Sequence, residues 1–209
     1  MEIPSNISSI ILRINQSEDN WKAIFMAIWQ YAGIIKVQYE NTPNWDSKIE
    51  FGLPASKNNS RHSYTFHKLH SILTSRDEDF TLRHLQTLFS LFEELLNEAS
   101  EILFPQKLKT YKWDKMEEFF KNDKTKDILS SEEIKELKLA KMTRNCYIHN
   151  GSKIDQPWVD SYKEAKGNST NLMGQELHSG FPTLFHKIED WNELIVNTAS
   201  KIKTKIESQ

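Results

Sequence analysis

Arg144 and His149, with four residues between them, stand in the segment Lys-Met-Thr-Arg-Asn-Cys-Tyr-Ile-His-Asn-Gly-Ser that runs from Lys141 to Ser152. A guanidinium is cationic at any physiological pH, whereas an imidazole exchanges a proton near neutrality. The pair thus supplies two residue types that charge stabilisation and acid–base catalysis use. Asn145 adds a polar amide beside the arginine. On spacing alone, a structural account is the stronger one: an arginine in an apolar helical row snorkels or meets a carboxylate, and a histidine before a C-terminal glycine caps carbonyls. Cys146 lies in an apolar row with no other cysteine in the chain, and reads as an inert buried thiol. His62, His67 and His70 lack a carboxylate partner and a second cluster, which makes a poor zinc set. No glycine-rich phosphate loop, nucleophile elbow or cysteine-rich zinc pattern is present, so neither a metal nor a cofactor is expected.

The helix that must carry these residues is well marked. Ser130 and Glu133 form an S-x-x-E capping box, which predicts a helix over about 130–150. Leu137, Ala140, Arg144 and Tyr147 make one row along it, and Leu139, Met142, Cys146 and His149 make another two residues on. A two-residue offset turns a helix by about 200°, so one row faces the chain's own core and the other a second surface, for which a symmetric partner is a candidate. Asn150 and Gly151 supply the left-handed stop. His149 then lies in the last turn, where the helix dipole favours the imidazolium while the nearby Arg144 opposes it.

Apolar periodicity outlines the other elements. Ile7, Ile10, Ile11 and Ile14 predict a short helix near Ser5 to Asn15. Trp21, Ile24, Phe25, Ile28, Tyr31, Ala32 and Ile35 predict a second, beginning after Asp19 and reaching about Tyr39, with its aromatic stripe in the core. Prolines, asparagines and a glycine mark a long loop over 41–61, with one short strand around Lys48 to Phe51. A helix over Ser63 to Ser75 precedes the strongest apolar face of the chain, Phe80 to Phe104, which Asp77 or Asp79 caps and Pro105 ends. Glu93 and Glu94, on its polar side, would pair with Arg144 if the two helices meet, although a solvated face is the simpler reading. Trp113 to Asn122 predicts a shorter helix. Residues 151–182 read as an irregular excursion with a short helix near Pro157 to Lys166, placed by adjacency to lie over the Arg144–His149 region. A final helix follows Pro182, its lysines at 201, 203 and 205 complementing the dipole.

Arg144-Asn-Cys-Tyr-Ile-His149 resembles the R-x4-6-H motif of the HEPN superfamily, including the polar residue that commonly follows the arginine and the His-Asn-Gly ending of many bacterial members. Arg61 and His67 also fit the spacing, but straddle a helix start rather than a helix end. The resemblance covers about a dozen residues. It implies an all-α fold, an antiparallel helical bundle of the HEPN type, here with two long irregular loops. It also implies a metal-independent endoribonuclease that cleaves RNA, tRNA and mRNA included, by 2′-hydroxyl transesterification, with Arg144, His149 and Asn145 as catalytic residues. In that chemistry His149 accepts the 2′-hydroxyl proton, Arg144 stabilises charge on the phosphorus centre and Asn145 orients the phosphate or the arginine. A homodimer with a composite active site, a neighbour-encoded antitoxin or regulatory partner, and a role in toxin–antitoxin, abortive-infection or CRISPR-associated defence follow from the same resemblance. The alternative is a non-catalytic helical module that binds RNA or protein, or an antitoxin-like partner.

Composition bounds the rest. The 209 residues, 38% of them hydrophobic, can bury a core as one domain over 1–209. With 27 basic against 29 acidic residues there is no overall cationic field to hold nucleic acid by counterion release, so any RNA contact is local. One cysteine suits a reducing compartment. No signal-like N-terminal segment and no run of ~18 apolar residues is present, giving an expectation of a cytoplasmic chain without a membrane partner.

Overall fold

The computed structural model describes residues 3–40, 48–52, 61–105, 107–167, 171–177 and 184–209. In chain order they form α1 (Ser5–Glu40), β1 (Lys48–Gly52), β2 (Arg61–Thr65), α2 (Phe66–Leu103), α3 (Trp113–Lys121), α4 (Ser131–His149), α5 (Gln156–Lys166) and α6 (Leu184–Glu207). Helix dominates, as an all-α class requires, with one antiparallel hairpin beside it that pairs Lys48 with Thr65 and Gly52 with Arg61. No described helix is long and apolar enough to cross a membrane.

Where one domain is predicted, the chain divides into two compact units, Met1–Asp19 with Thr81–Gln209, and Asn20–Phe80. The core of the larger unit follows the predicted apolar rows. Ile7, Ile10, Ile11 and Ile14 of α1, Leu85, Leu88, Phe89, Phe92, Leu95 and Leu96 of α2, and Ile195, Ala199 and Ile202 of α6 are buried. Phe92 stacks on Phe120 of α3 at 6.4 Å, and Phe104 meets Phe119 edge-on at 5.3 Å.

Cross-links fix the helix directions within this unit. Asn6 bonds Glu98, Arg13 bonds Glu94 at 3.3 Å and Ser17 approaches His84 at 3.4 Å, so α1 and α2 run antiparallel. Helix α4 is antiparallel to α5 through Trp158–Thr143, Lys138–Glu164 and Lys166–Glu136, and to α6 through Trp191–Glu136 and Lys201–Glu133. Lys201 also reaches the Ile128 carbonyl and Lys205 the Asp127 carboxylate, so two of the three terminal lysines tie α6 to the preceding connection as well as answering its dipole.

Three expectations are corrected. The predicted break before Asp19 is absent, because Gln16-Ser-Glu-Asp-Asn20 contains neither proline nor glycine and the helix runs on. The break near Asp77 is absent for the same reason, and α2 continues from Phe66. Ser63 to Thr65 are strand rather than helix, since pairing with β1 selects the extended conformation. The strand foreseen at Lys48 is present; the rest of the 41–61 loop lies outside the described residues. The aromatic stripe of α1 is only partly core: Trp21 is buried, whereas Ile24 and Tyr31 are exposed, and the side chains of Ala32 and Ile35 lie outside the described set.

Candidate active site

Helix α4 begins as its sequence dictates. Ser130 Oγ accepts from the Glu133 N–H at 3.2 Å and the Glu133 carboxylate accepts from the Ser130 N–H at 2.7 Å, the reciprocal pair of a capping box. Its end is equally determined. Gly151 takes φ +56°, and the Ser152 N–H returns to the Cys146 carbonyl at 3.1 Å. Ser152 also has a positive φ, +64°, and its carbonyl accepts from the Leu177 N–H at 2.8 Å. The excursion after the motif therefore folds back on it: Lys153 and Glu176 form an antiparallel bridge directly beyond the helix end.

Between these stops α4 is clamped on several sides. Lys141 is buried, donating to the Glu93 carboxylate and, at 2.9 Å, to the Tyr111 carbonyl. Burial pulls its pKa below the ordinary lysine value, and Glu93 opposes that shift. Thr143 is buried and accepts at 2.8 Å from the indole N–H of the fully buried Trp158. Cys146 donates to Asp155 Oδ1 at 3.3 Å; burial pushes this thiol up to about 12, which keeps it a neutral S–H donor. The other Asp155 oxygen accepts from Asn150 at 2.6 Å, while Oδ1 also caps α5 through the Trp158 N–H at 3.0 Å.

The clamp leaves the three candidate residues in distinct settings. Arg144 is half-buried and one of its terminal nitrogens donates to Asn145 Oδ1 at 3.1 Å. Its Nε is buried without a hydrogen-bond partner among the described residues, where no carboxylate pairs with it. The foreseen partners are taken: Glu93 binds Lys141 and Glu94 binds Arg13. His149 is exposed in the last turn. Five helical steps separate it from Arg144, a rotation of about 140° and a rise of about 7.5 Å, so the two side chains leave α4 on different sides. The structure brings Arg144 and Asn145 into contact, and His149 lies one turn beyond Asn145 and on another side of α4 from Arg144.

An open cleft of about 460 Å³ runs along α2 beside Glu93, Glu94, Glu98, Lys107, Lys109 and Tyr111, and contains none of the three motif residues. Among the described residues no group of three or more His, Cys, Asp or Glu side chains is placed to hold a metal ion; the side chains of His62, His67 and His70 lie outside that set. The competing Arg61–His67 spacing spans all of β2 and the start of α2. Sequence reasoning missed Asp155, Trp158 and the Lys141–Glu93 pair. An aspartate two residues before Pro157 is a readable start signal for α5, but its grip on Cys146 and Asn150 is tertiary. No protein-family model, no curated protein and no solved structure matches this chain.

Proposed function

We propose that this chain is a metal-independent endoribonuclease of the HEPN type, a toxin or antiviral-defence effector, with Arg144, Asn145 and His149 as its catalytic residues. The observation that carries the reading is the state of Arg144. It is an arginine on an otherwise clamped helix, oriented by its neighbouring amide and paired with no carboxylate among the described residues, so its charge is available to a phosphate. His149 complements it as an accessible imidazole.

Cleavage would begin with the RNA 2′-hydroxyl attacking phosphorus as its proton passes to neutral His149. Arg144 stabilises the negative charge gathered on the phosphoryl oxygens, and Asn145 holds the guanidinium in place. The P–O5′ bond then breaks, and the leaving oxygen takes a proton from an imidazolium, giving a 2′,3′-cyclic phosphate and a 5′-hydroxyl. The 140° between Arg144 and His149 on one helix favours a composite site in which a second copy supplies the complementary group. The exposure of His149 on another side of α4 from Arg144 supports the other reading, a helical module that binds RNA or protein without cutting it.

Controlled expression in a bacterial host, with RNA integrity and growth followed for wild type and His149→Ala at equal soluble abundance, separates the two. A ribonuclease arrests growth and fragments RNA, and the variant loses cleavage by roughly 10²–10⁴-fold. Equal toxicity in both removes His149 from the mechanism, and products ending in 3′-hydroxyls rule out the transesterification.

A further inference from the structure

The connection between α2 and α3 carries four lysines against one aspartate over residues 107–115, in a chain whose net charge is −2. It is firmly held. Thr110 is fully buried, its N–H donating to Asn97 Oδ1 at 2.9 Å and its hydroxyl to the Glu93 carbonyl at 3.2 Å, and the Leu108 N–H donates to Ser100 Oγ at 3.1 Å. With Thr110 pinned inward, Lys109, Tyr111 and Lys112 stand exposed, and Tyr111 keeps 52% of its surface open. This segment is one wall of the cleft of about 460 Å³; the other is α2, with Glu93, Glu94 and Glu98. We propose that the cleft binds one nucleotide, its base lying on the Tyr111 ring and against the α2 carboxylates, its phosphate at Lys109.

The two walls select that chemistry together. A few hundred cubic ångströms hold a small organic group rather than a folded segment. An exposed aromatic ring beside lysines is a stacking platform for a base. On the α2 side the carboxylates are answered from outside the cleft: Lys141 binds Glu93, Arg13 binds Glu94, and the Asn6 amide donates to Glu98. On the facing side Lys107 pairs with Glu101, whereas Lys109 and Lys112 form no ion pair among the described residues. Uncommitted positive charge therefore lies beside Tyr111, with carboxylate oxygens opposite. A small inorganic anion is repelled by the second feature, and a polyamine or basic peptide by the first. A nucleotide brings an anionic phosphate, a flat π face and a base edge whose amino group a carboxylate accepts. The place also suits a strand. The Tyr111 carbonyl accepts from Lys141 at 2.9 Å, and Arg144 is one turn further along α4, a rise of about 4.5 Å, so a base in the cleft has its neighbouring phosphates close to the guanidinium. That the nucleotide belongs to an RNA strand rests on the ribonuclease reading; a free mononucleotide offers the cleft the same chemistry.

Fluorescence anisotropy on the full chain tests this, with a labelled single strand of 2′-O-methyl RNA of about eight residues. Such a strand has no 2′-hydroxyl to attack phosphorus, so binding is read apart from cutting. Tyr111→Ala should weaken binding roughly 5- to 100-fold, and Tyr111→Phe should keep it within about twofold, because the ring face stacks without its hydroxyl. Lys109→Ala should lower the slope of log affinity against log salt by about 0.7, the loss of one phosphate contact. Competition with GMP separates the two sources of nucleotide: displacement only at concentrations far above that of the strand assigns the cleft to RNA, and displacement at matching concentration assigns it to a free nucleotide, and either supports the site. Should Tyr111→Ala lose its helical circular dichroism, the Lys109 slope decides alone. Unchanged affinity in a folded Tyr111→Ala protein, an unchanged slope in Lys109→Ala, displacement by polyglutamate as effective as by unlabelled strand, or no binding by wild type at low salt overturns the proposal. A chain that cuts ordinary RNA but fails these tests would lose the cleft and keep the ribonuclease; one that passes them without cutting would do the reverse.

Discussion

A lysine inside a protein core is tolerated only when its charge is answered, and Lys141 is answered by Glu93 and the Tyr111 carbonyl. His84 meets the same demand differently, by staying neutral. It is buried, and burial lowers its pKa to about 4, against a smaller opposing effect of the neighbouring Asn192 side chain. The unfolded chain takes up a proton near 6.5, whereas the folded chain resists until about 4, so between those values the unfolded state binds more protons and stability rises with pH. As pH falls from 6.5 to 4, His84 should remove about 3 kcal/mol of stability. Urea denaturation at a series of pH values checks this: His84→Gln should flatten the decline relative to wild type, and parallel curves would show that His84 contributes nothing to it. Neither residue was visible as buried in the sequence. Lys141 precedes the motif as an ordinary surface-type residue, and only the approach of α2, forty-eight residues away in the chain, makes it a core ion pair.

Elements were legible where the chain carries its own punctuation. The Ser130–Glu133 box, the Asn150-Gly151 stop, Pro105 and Pro157 each act within a few residues, and the boundaries of α4 and α5 stand where those signals put them. The lengths of α1 and α2 were not legible, because polar runs such as Gln16 to Asn20 look like connections yet contain nothing that stops a helix. Helix α5 owes its placement to one carboxylate. Asp155 caps its first turn and holds Cys146 and Asn150 of the motif end. Asp155→Ala should therefore cost about 1–2 kcal/mol, at the upper end for a lost cap, and Asp155→Asn less, because an amide oxygen still accepts the Trp158 N–H. Chemical denaturation of both variants reads this directly; an alanine variant as stable as wild type would mean that the junction is held by Trp158 and Thr143 alone. Asn145 beside Arg144 was legible as a pair from their adjacency. The turn of His149 away from Arg144 was readable only from helix geometry.

Taken whole, the chain places one compact unit inside the sequence of another: Asn20–Phe80 lies between the two stretches that build the larger unit. The motif, its clamp and the core of α2 and α6 all belong to the outer unit, while residues 20–40 of α1 belong to the inner one. Ser17 and His84 approach to 3.4 Å, so the outer unit's own chain comes to within a short connection of itself at Asp19 and Thr81. A chain in which residues 20–80 are replaced by a few glycines and serines, within the two to eight residues that usually join packed helices, should fold and keep its α4–α5 junction. Cooperative thermal unfolding would establish this, and an unfolded product would show that the inner unit supports the outer. The contact between Ser17 and His84 thus has a bearing on how such a protein can diversify. It marks a place where sequence can be exchanged, lengthened or discarded as a cassette, so selection acting on residues 20–80 need not disturb the residues that surround Arg144.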